Sequence, residues 1–184
     1  MDSPPRLQPL IDHLRQHALR IEGPFLLRSG GYSDWYLDAR QTTYSGEGSR
    51  LVGEAVLGVL DHRTMAVGGM TMGADPIAIA TAVLGSLQGR VLRAFSVRKE
   101  HKDHGAGGRL VGPVRPGDLV TVVEDTVTTG GALLEAVDVL IEADATPVQS
   151  LALVDRSNGL VASRMAERGI PFVALLSPSD LGVD

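Results

Sequence analysis

Leu119-Val120-Thr121-Val122-Val123 runs straight into Glu124-Asp125-Thr126-Val127-Thr128-Thr129-Gly130-Gly131-Ala132, and the reading of this stretch decides the fold. Its first five residues are apolar or β-branched with no polar alternation. That is the pattern of a strand covered on both faces, as in a parallel sheet. Gly130 to Ala143 then reads as a helix. Working outward, the same alternation recurs from Met65 to the C-terminus. Met65–Val67 is an apolar run ending at Gly68-Gly69. Asp75-Pro76 opens a helix reaching Leu87, with Asp as N-cap and Pro at the first helical position. Val91–Phe95 reads as a strand, Val148–Val154 as another, Leu160–Arg168 as a helix and Phe172–Leu176 as a last strand. Strands alternating with helices predict an α/β fold, a mainly parallel central sheet flanked by helices with right-handed crossovers. Ligands in such folds bind beyond the carboxyl ends of the strands. The chemistry is therefore expected in the loops after Val67, Phe95, Val123 and Val154.

Upstream, Leu7, Leu10, Ile11, Leu14 and Ala18 recur at helical spacing and predict an amphipathic helix over 7–19. His13 and His17 are spaced i, i+4 on it. With no third ligand in view they read as a solvated face rather than a metal pair. Residues 25–27 and 35–38 read as short strands around Ser29-Gly30-Gly31, and 47–60 as a helix. Residues 97–116 carry Gly105, Gly107, Gly108, Gly112, two prolines and many charges, so they read as a long loop. No internal repeat, low-complexity tract or linker divides the chain, so 1–184 is read as one domain.

The composition narrows the classes further. The chain has 184 residues, 43% hydrophobic, with 17 basic and 22 acidic groups and a net charge of −5. A domain of this length buries about 70% of its unfolded surface. Such apolar content and modest charge argue against disorder. No run of apolar residues is long enough for a membrane span, and Met1-Asp2-Ser3-Pro4-Pro5 lacks the charged and apolar regions of a signal peptide. The absence of cysteine excludes disulfides, thiolate metal sites and cysteine nucleophiles. A cytoplasmic protein is expected, and the acidic balance argues against nonspecific nucleic-acid binding. Fifteen of the basic residues are arginine and only two are lysine. Both lysines fall in Arg98-Lys99-Glu100-His101-Lys102-Asp103-His104-Gly105, together with two of the five histidines.

The loop after Leu119–Val123 combines opposite demands. Backbone N–H groups at a helix N-terminus, with the helix dipole behind them, attract an anion. Glycines admit a phosphate closely and threonine hydroxyls add donors. Glu124 and Asp125 would repel that phosphate in contact. They make sense when the same ligand offers hydroxyls, or carries Mg²⁺, a few ångströms away. A sugar phosphate satisfies both halves. No Gly-Lys-Ser/Thr follows, so this is not the ATPase P-loop, and no Gly-x-Gly-x-x-Gly follows any strand.

Val122 to Ala132 resembles the phosphoribosyl-pyrophosphate motif of type I phosphoribosyltransferases. Arg98 to Gly105 resembles the catalytic loop of the orotate phosphoribosyltransferases within that superfamily. Gly23-Pro24-Phe25-Leu26-Leu27-Arg28-Ser29-Gly30, followed by Trp35-Tyr36-Leu37-Asp38, resembles their N-terminal base-binding segment. Asp155-Arg156 resembles their base-carboxylate site. These segments stand in the right order from residue 20 to residue 160.

The resemblance implies a type I phosphoribosyltransferase fold, with an N-terminal helix and hood over residues 1–44 and a mobile catalytic loop at 97–116. It implies transfer of ribose 5-phosphate from phosphoribosyl pyrophosphate to N1 of orotate, with loss of pyrophosphate. Arg98, Lys102 and His104 would be catalytic, joined by Lys99 in binding the pyrophosphate. Lys102 is the first choice for rate, because a compact ammonium on a flexible stem suits a charge that develops late. Glu124 and Asp125 would hold the ribose 2′- and 3′-hydroxyls. Thr126, Val127, Thr128, Thr129, Gly130, Gly131 and Ala132 would cradle the 5-phosphate. Thr128 would also touch orotate, Arg156 would fork onto its carboxylate, and Arg28 would join the base site. Mg²⁺ is implied, held mainly by substrate oxygens and water rather than by protein ligands. A homodimer whose subunits exchange the catalytic loop is implied too.

Two positions depart from the common bacterial pattern. Arg28 stands where many members carry lysine, and Gly68-Gly69-Met70-Thr71-Met72-Gly73-Ala74-Asp75 lacks the lysine many carry in the pyrophosphate loop. Two other readings compete. A purine phosphoribosyltransferase would have no use for Arg156 as a carboxylate fork. A phosphoribosyl-pyrophosphate sensor would carry a nucleic-acid-binding element, for which this chain has no spare segment.

Overall fold

The computed structural model describes residues 7–26, 30–100 and 108–184. In chain order these form α1 (Gln8–His17), the short strands β1 (Leu19–Arg20), β2 (Phe25–Leu26), β3 (Tyr32–Ser33) and β4 (Tyr36–Leu37), α2 (Arg40–Thr43) and α3 (Gly46–Val59). Then come β5 (Ala66–Met70), α4 (Ala74–Leu87), β6 (Arg93–Val97), β7 (Leu110–Val111), β8 (Leu119–Val127) and α5 (Gly131–Glu142). The chain closes with β9 (Thr146–Asp155), α6 (Leu160–Glu167), β10 (Phe172–Leu176) and a 3₁₀ turn at Pro178–Leu181.

The central sheet has six strands in the order β10-β9-β8-β5-β6-β7. All neighbours run parallel except β6 and β7. The chain leaves β5 toward β6 and later returns to the other side of β5 as β8. The strand order therefore reverses between β5 and β8, and loops diverging at such a switch point open a crevice at the carboxyl ends. Successive side chains alternate between two cores. Val67, Val123 and Leu151 pack with Leu14 of α1, Val52 of α3 and Ile77 of α4. Ala66, Val122 and Ala152 pack with Leu133 and Leu140 of α5 and Met165 of α6. Helices thus cover both faces, which is why the strands carry no polar alternation.

Several elements extend beyond the sequence expectation, each for a local reason. The strand expected at Leu119–Val123 continues to Val127, because Glu124, Thr126 and Val127 keep pairing with Ala152, Val154 and Asp155. The run expected to stop at Gly68-Gly69 passes through both glycines to Met70. A Cβ on Gly68 would lie 2.1 Å from Phe95 O, and one on Gly69 2.1 Å from Val123 O. These glycines allow close approach of neighbouring backbones rather than breaking the strand. The strand expected at Val91–Phe95 is displaced to Arg93–Val97, leaving Val91 87% exposed.

Asp75 is not the cap of α4, which begins at Ala74. Its carboxylate instead accepts from Thr71 Oγ1 at 2.7 Å and Ser96 Oγ at 2.6 Å, tying the β5–α4 turn to β6. The expected loop at 97–116 contains β7, paired antiparallel to β6, while residues 101–107 lie outside the described residues. At the N-terminal end β1 pairs with β4 and β2 with β3, giving two small antiparallel ribbons over the carboxyl edge of the sheet. His13 does not sit on a solvated face: its Nδ1 is 3.1 Å from Thr42 Oγ1 and its Nε2 3.4 Å from Ser45 Oγ.

Candidate active site

The crevice at the switch point is built mainly by the end of β8. Glu124 is buried, and its Oε2 has no hydrogen-bond partner among the described residues. Burial pushes its carboxyl up to about 9, and the adjacent Asp125 charge pushes the same way. Asp125 Oδ1 accepts from the Thr126 N–H at 2.7 Å. Val127 O accepts from the Arg156 N–H at 2.8 Å, which joins the end of β8 to the residue that follows β9. Gly130 has φ +77°, a left-handed turn into α5 that a side chain would resist. The first turn of α5 has no side-chain cap and no acidic residue. Its N–H groups and dipole are thus left to an anion. Arg164 of α6 donates to Thr129 O at 2.6 Å and fixes the turn.

These residues line a cavity of about 700 Å³ that runs from Glu124 and Thr126 through Gly131 and Ala132 to Arg156. Tyr36 of β4 and Leu26 of β2 close it from the N-terminal ribbons. A second cavity of about 310 Å³ shares Tyr36, Glu124, Thr126 and Ala132 and continues past Asp125 to Thr71, Met72, Gly73, Arg40 and Lys99. The two together form one trough with the acid pair in the middle. The Thr126–Gly131 turn and Arg156 lie toward one end, and at the other a loop-lined recess holds Lys99 and the Arg40–Asp38 ion pair.

Arg156 is half-buried. Its guanidinium carbon lies 4.0 Å from the ring centroid of Trp35. It makes no hydrogen bond or ion pair with any described side chain, and burial lowers its pKa from the ordinary arginine value. A half-buried cation without a counter-ion among the described residues, on a cavity wall, suits an anionic group.

In the smaller recess, Thr71 N–H donates to Val97 O at 2.9 Å, and the Thr71–Met72 peptide is cis. Arg40 is a site residue that sequence reasoning missed. Burial alone would raise the Asp38 carboxyl, but the Arg40 Nε–H bond at 2.7 Å holds it below the ordinary carboxylate value. No motif marks Arg40; it lines the same recess as Lys99 because α2 begins directly after β4 at the edge of the crevice.

Of the other residues expected from the sequence, Glu124, Asp125, Thr126, Val127, Thr128, Thr129, Gly130, Gly131, Ala132 and Arg156 come together in the trough, with Lys99 at its edge. Arg98 lines neither cavity. Its N–H donates to Arg109 O at 2.8 Å and its carbonyl accepts from Arg109 Nε at 2.7 Å, so it closes the stem of the loop. Arg109 also pairs with Glu135 of α5. Arg28, Lys102 and His104 lie outside the described residues.

No family model matches the chain. Among curated proteins it is 41% identical over 176 residues to the orotate phosphoribosyltransferase of Streptomyces avermitilis, covering 95% of this chain and 96% of that one. The chain belongs to the orotate phosphoribosyltransferase family. Solved structures agree. Mycobacterium tuberculosis orotate phosphoribosyltransferase in complex with Fe(III) dicitrate superposes with a TM-score of 0.86 at 33% identity, over 97% of this chain and 100% of that chain. The same enzyme in complex with 5-phospho-α-D-ribosyl 1-diphosphate gives a TM-score of 0.81 at 31% identity, over 97% and 100%. The fold is that of the type I phosphoribosyltransferases, and an orotate phosphoribosyltransferase is a pentosyltransferase of pyrimidine biosynthesis.

Proposed function

We propose that the trough carries out the orotate phosphoribosyltransferase reaction with the following division of labour. Phosphoribosyl pyrophosphate lies across it, its 5-phosphate on the Thr126–Ala132 turn and its ribose hydroxyls on Glu124 and Asp125. The diphosphate points into the recess of Thr71–Gly73, Arg40 and Lys99. Orotate enters between Tyr36 and Thr128, with its carboxylate on the edge of Arg156. The observation that carries this reading is Arg156: a half-buried cation with no counter-ion among the described residues, on the wall of the same cavity as a helix N-terminus without a side-chain cap.

The transition state has oxocarbenium character at the sugar and gathers charge on the departing pyrophosphate. The chain's contribution is positioning and preorganised charge. The acid pair orients the sugar and opposes positive charge on its ring. Arg98, Lys99, Lys102 and His104 meet the leaving group, and Met72 and Gly73 supply backbone donors in place of a lysine, the Thr71 N–H being held by Val97 O. The donor set fits Mg²⁺ that arrives on its substrate. Among the described residues no three His, Cys, Asp or Glu side chains are grouped to hold a metal, and the trough offers hydroxyls, amides, the acid pair and Asp38, which is paired with Arg40. The chain would hold the ion through the substrate seated between Thr71–Gly73 and Glu124–Asp125, and when bound the ion offsets diphosphate charge.

The reading includes a homodimer that exchanges the catalytic loop. Arg98 at the loop root lines neither cavity of its own chain, as such an exchange requires. Helix α4, which follows the pyrophosphate turn, exposes Ile79 (57%), Val83 (54%) and Leu87 (78%) at intervals of four residues. A stripe of that kind is expected to be covered. No helix among the described residues is long and apolar enough to cross a membrane, and the reading includes a cytoplasmic location.

The test is pyrophosphate release with phosphoribosyl pyrophosphate, Mg²⁺ and, separately, orotate, uracil, hypoxanthine or adenine. Turnover with orotate alone is expected. Turnover with a purine and none with orotate would sink the reading.

A further inference from the structure

Trp35 is held at its indole N–H and at its backbone by groups that the reaction itself does not need. It is 7% exposed. Its indole N–H donates to the main-chain carbonyl of Asp184 at 2.8 Å, across 149 positions of sequence. Its own backbone is fixed by Ser33, whose Oγ donates to Trp35 O at 2.7 Å and accepts from Trp35 N–H at 3.4 Å. The segment that supplies Asp184 is itself tied down. Ser177 and Asp180 close a capping box on the 3₁₀ turn, and Arg15 Nε of α1 donates to Leu181 O at 3.1 Å. The face of the ring then meets the Arg156 guanidinium carbon at 4.0 Å.

This geometry matters because of how arginine donates. All its N–H groups lie in the guanidinium plane, so an aromatic ring can hold the face and leave the edges free for a bidentate carboxylate. Trp is the strongest aromatic partner for a cation, more so when the pair is desolvated. Arg156 makes no hydrogen bond through its side chain to any described residue, so the Trp35 ring is what restrains a side chain otherwise free in several torsions.

We infer that Trp35 is a positioning residue for the base carboxylate. It acts through Arg156, sets the plane of the fork, and is itself held by the Asp184 carbonyl. This inference rests on the assignment of Arg156 to the orotate carboxylate. Its energetic signature is binding of the base, not chemistry or the sugar phosphate. Loss of uniform binding raises KM and leaves kcat.

The experiment is steady-state kinetics on Trp35→Leu, Trp35→Phe and Arg156→Ala, varying orotate and phosphoribosyl pyrophosphate in turn. Trp35→Leu is expected to raise the orotate KM at least about 10-fold, with the phosphoribosyl pyrophosphate KM and kcat changed no more than about 2-fold. Trp35→Phe keeps a ring but loses the bond to Asp184, and is expected to fall between wild type and Leu, with an orotate KM raised about 3-fold or more. If Arg156→Ala raises the orotate KM while neither Trp35 variant does, the positioning role is overturned and the carboxylate fork stands. If Arg156→Ala leaves the orotate KM unchanged, the fork assignment falls, and this inference with it. Should Trp35→Leu fail to fold, Trp35→Phe decides. A selective rise in orotate KM upholds the role, and wild-type values or an equal rise in both KM values overturn it.

Discussion

Gly73 and Asp125 approach so closely that no side chain fits between them: a Cβ on Gly73 would lie 2.7 Å from Asp125 Oδ1 and 2.8 Å from Glu124 Oε1. The turn after β5 and the acid pair near the end of β8 thereby meet across the switch point. Gly73 has φ −61° and ψ −42°, ordinary helical values, so alanine brings no backbone strain there. Its effect is steric alone, and Asp125 cannot yield without loosening its bond from the Thr126 N–H. Gly73→Ala is expected to raise the KM for phosphoribosyl pyrophosphate at least about 10-fold, the scale of a sub-ångström misplacement at a reacting centre. Its Tm should stay within about 4 °C of wild type, a shift worth roughly 1 kcal/mol for a domain this size. Unchanged KM with an unchanged fold would mean the two turns need not touch.

Glu124 gives the ligand-free protein a pH dependence of known sign. Its carboxyl titrates near 4.5 when unfolded and is pushed up to about 9 by burial and by Asp125. The folded state therefore binds the extra proton between these values. Stability from this group is complete below the unfolded pKa and is lost as pH rises toward and through the folded one. One such group changes stability by at most about 1.4 kcal/mol per pH unit. Glu124→Gln carries no proton to lose. Thermal melts between pH 5 and pH 9 should show the variant gaining on wild type with every unit of alkalinity. Parallel melting curves across that range would contradict the buried, proton-bearing state. Above about pH 9, where wild-type Glu124 is ionised, the same variant should bind phosphoribosyl pyrophosphate less well, because an amide is a poorer acceptor than a carboxylate for the ribose hydroxyls.

The parts of this molecule legible in the sequence are those whose signal is local. Phe172–Leu176 is a strand in both views because five apolar residues can be little else between a helix and a turn. The Thr126–Ala132 turn was readable because the donors it needs are contiguous. Beyond Val123 the strand signal fades, since Glu124 and Thr126 are polar, yet the ladder with β9 continues; pairing partners 28 positions away decide it. Asp75 carries the local signature of a cap, but Thr71 and Ser96 offer its carboxylate better-placed donors. Arg40 and the Trp35–Arg156 stack leave no trace in spacing or composition. They exist only because β4 returns beside β1 and the last residues fold back over α1. The cations proposed to be catalytic form the opposite case, plain in the sequence while Lys102 and His104 lie outside the described residues.

The stripe on α4 makes the dimer testable. Val83→Glu places a charge at the centre of Ile79, Val83 and Leu87, where covering it in an interface would leave it unpaired. The variant should elute as a monomer in size exclusion with light scattering at concentrations where wild type is expected to elute as a dimer. Because Arg98 lines neither cavity of its own chain, the monomer should also lose at least about 100-fold in kcat, the cost of removing a preorganised charge donor. Its phosphate turn, built within one chain, should still bind phosphoribosyl pyrophosphate. A Val83→Glu dimer of normal mass would remove α4 from the interface.

The two lysines provide the last test. In a chain with 15 arginines, lysine survives only at Lys99 and Lys102. Lys99 lines the recess in its own chain, to which the proposed reading assigns the diphosphate in the ground state. Its loss should therefore appear largely in the KM for phosphoribosyl pyrophosphate. Lys102 sits farther along the loop and is assigned to charge that appears on the leaving group only as the glycosidic bond breaks. An interaction made in the transition state alone lowers kcat and kcat/KM together. Lys102→Ala is expected to cut kcat at least about 100-fold, with substrate KM values changed little. Lys102→Arg should recover only part of the rate, since a planar fork replaces a compact ammonium. Single-turnover measurements would separate chemistry from product release. If Lys102→Ala turned over near the wild-type rate, the principal cation would have to be sought among Arg98, Lys99 and His104 instead.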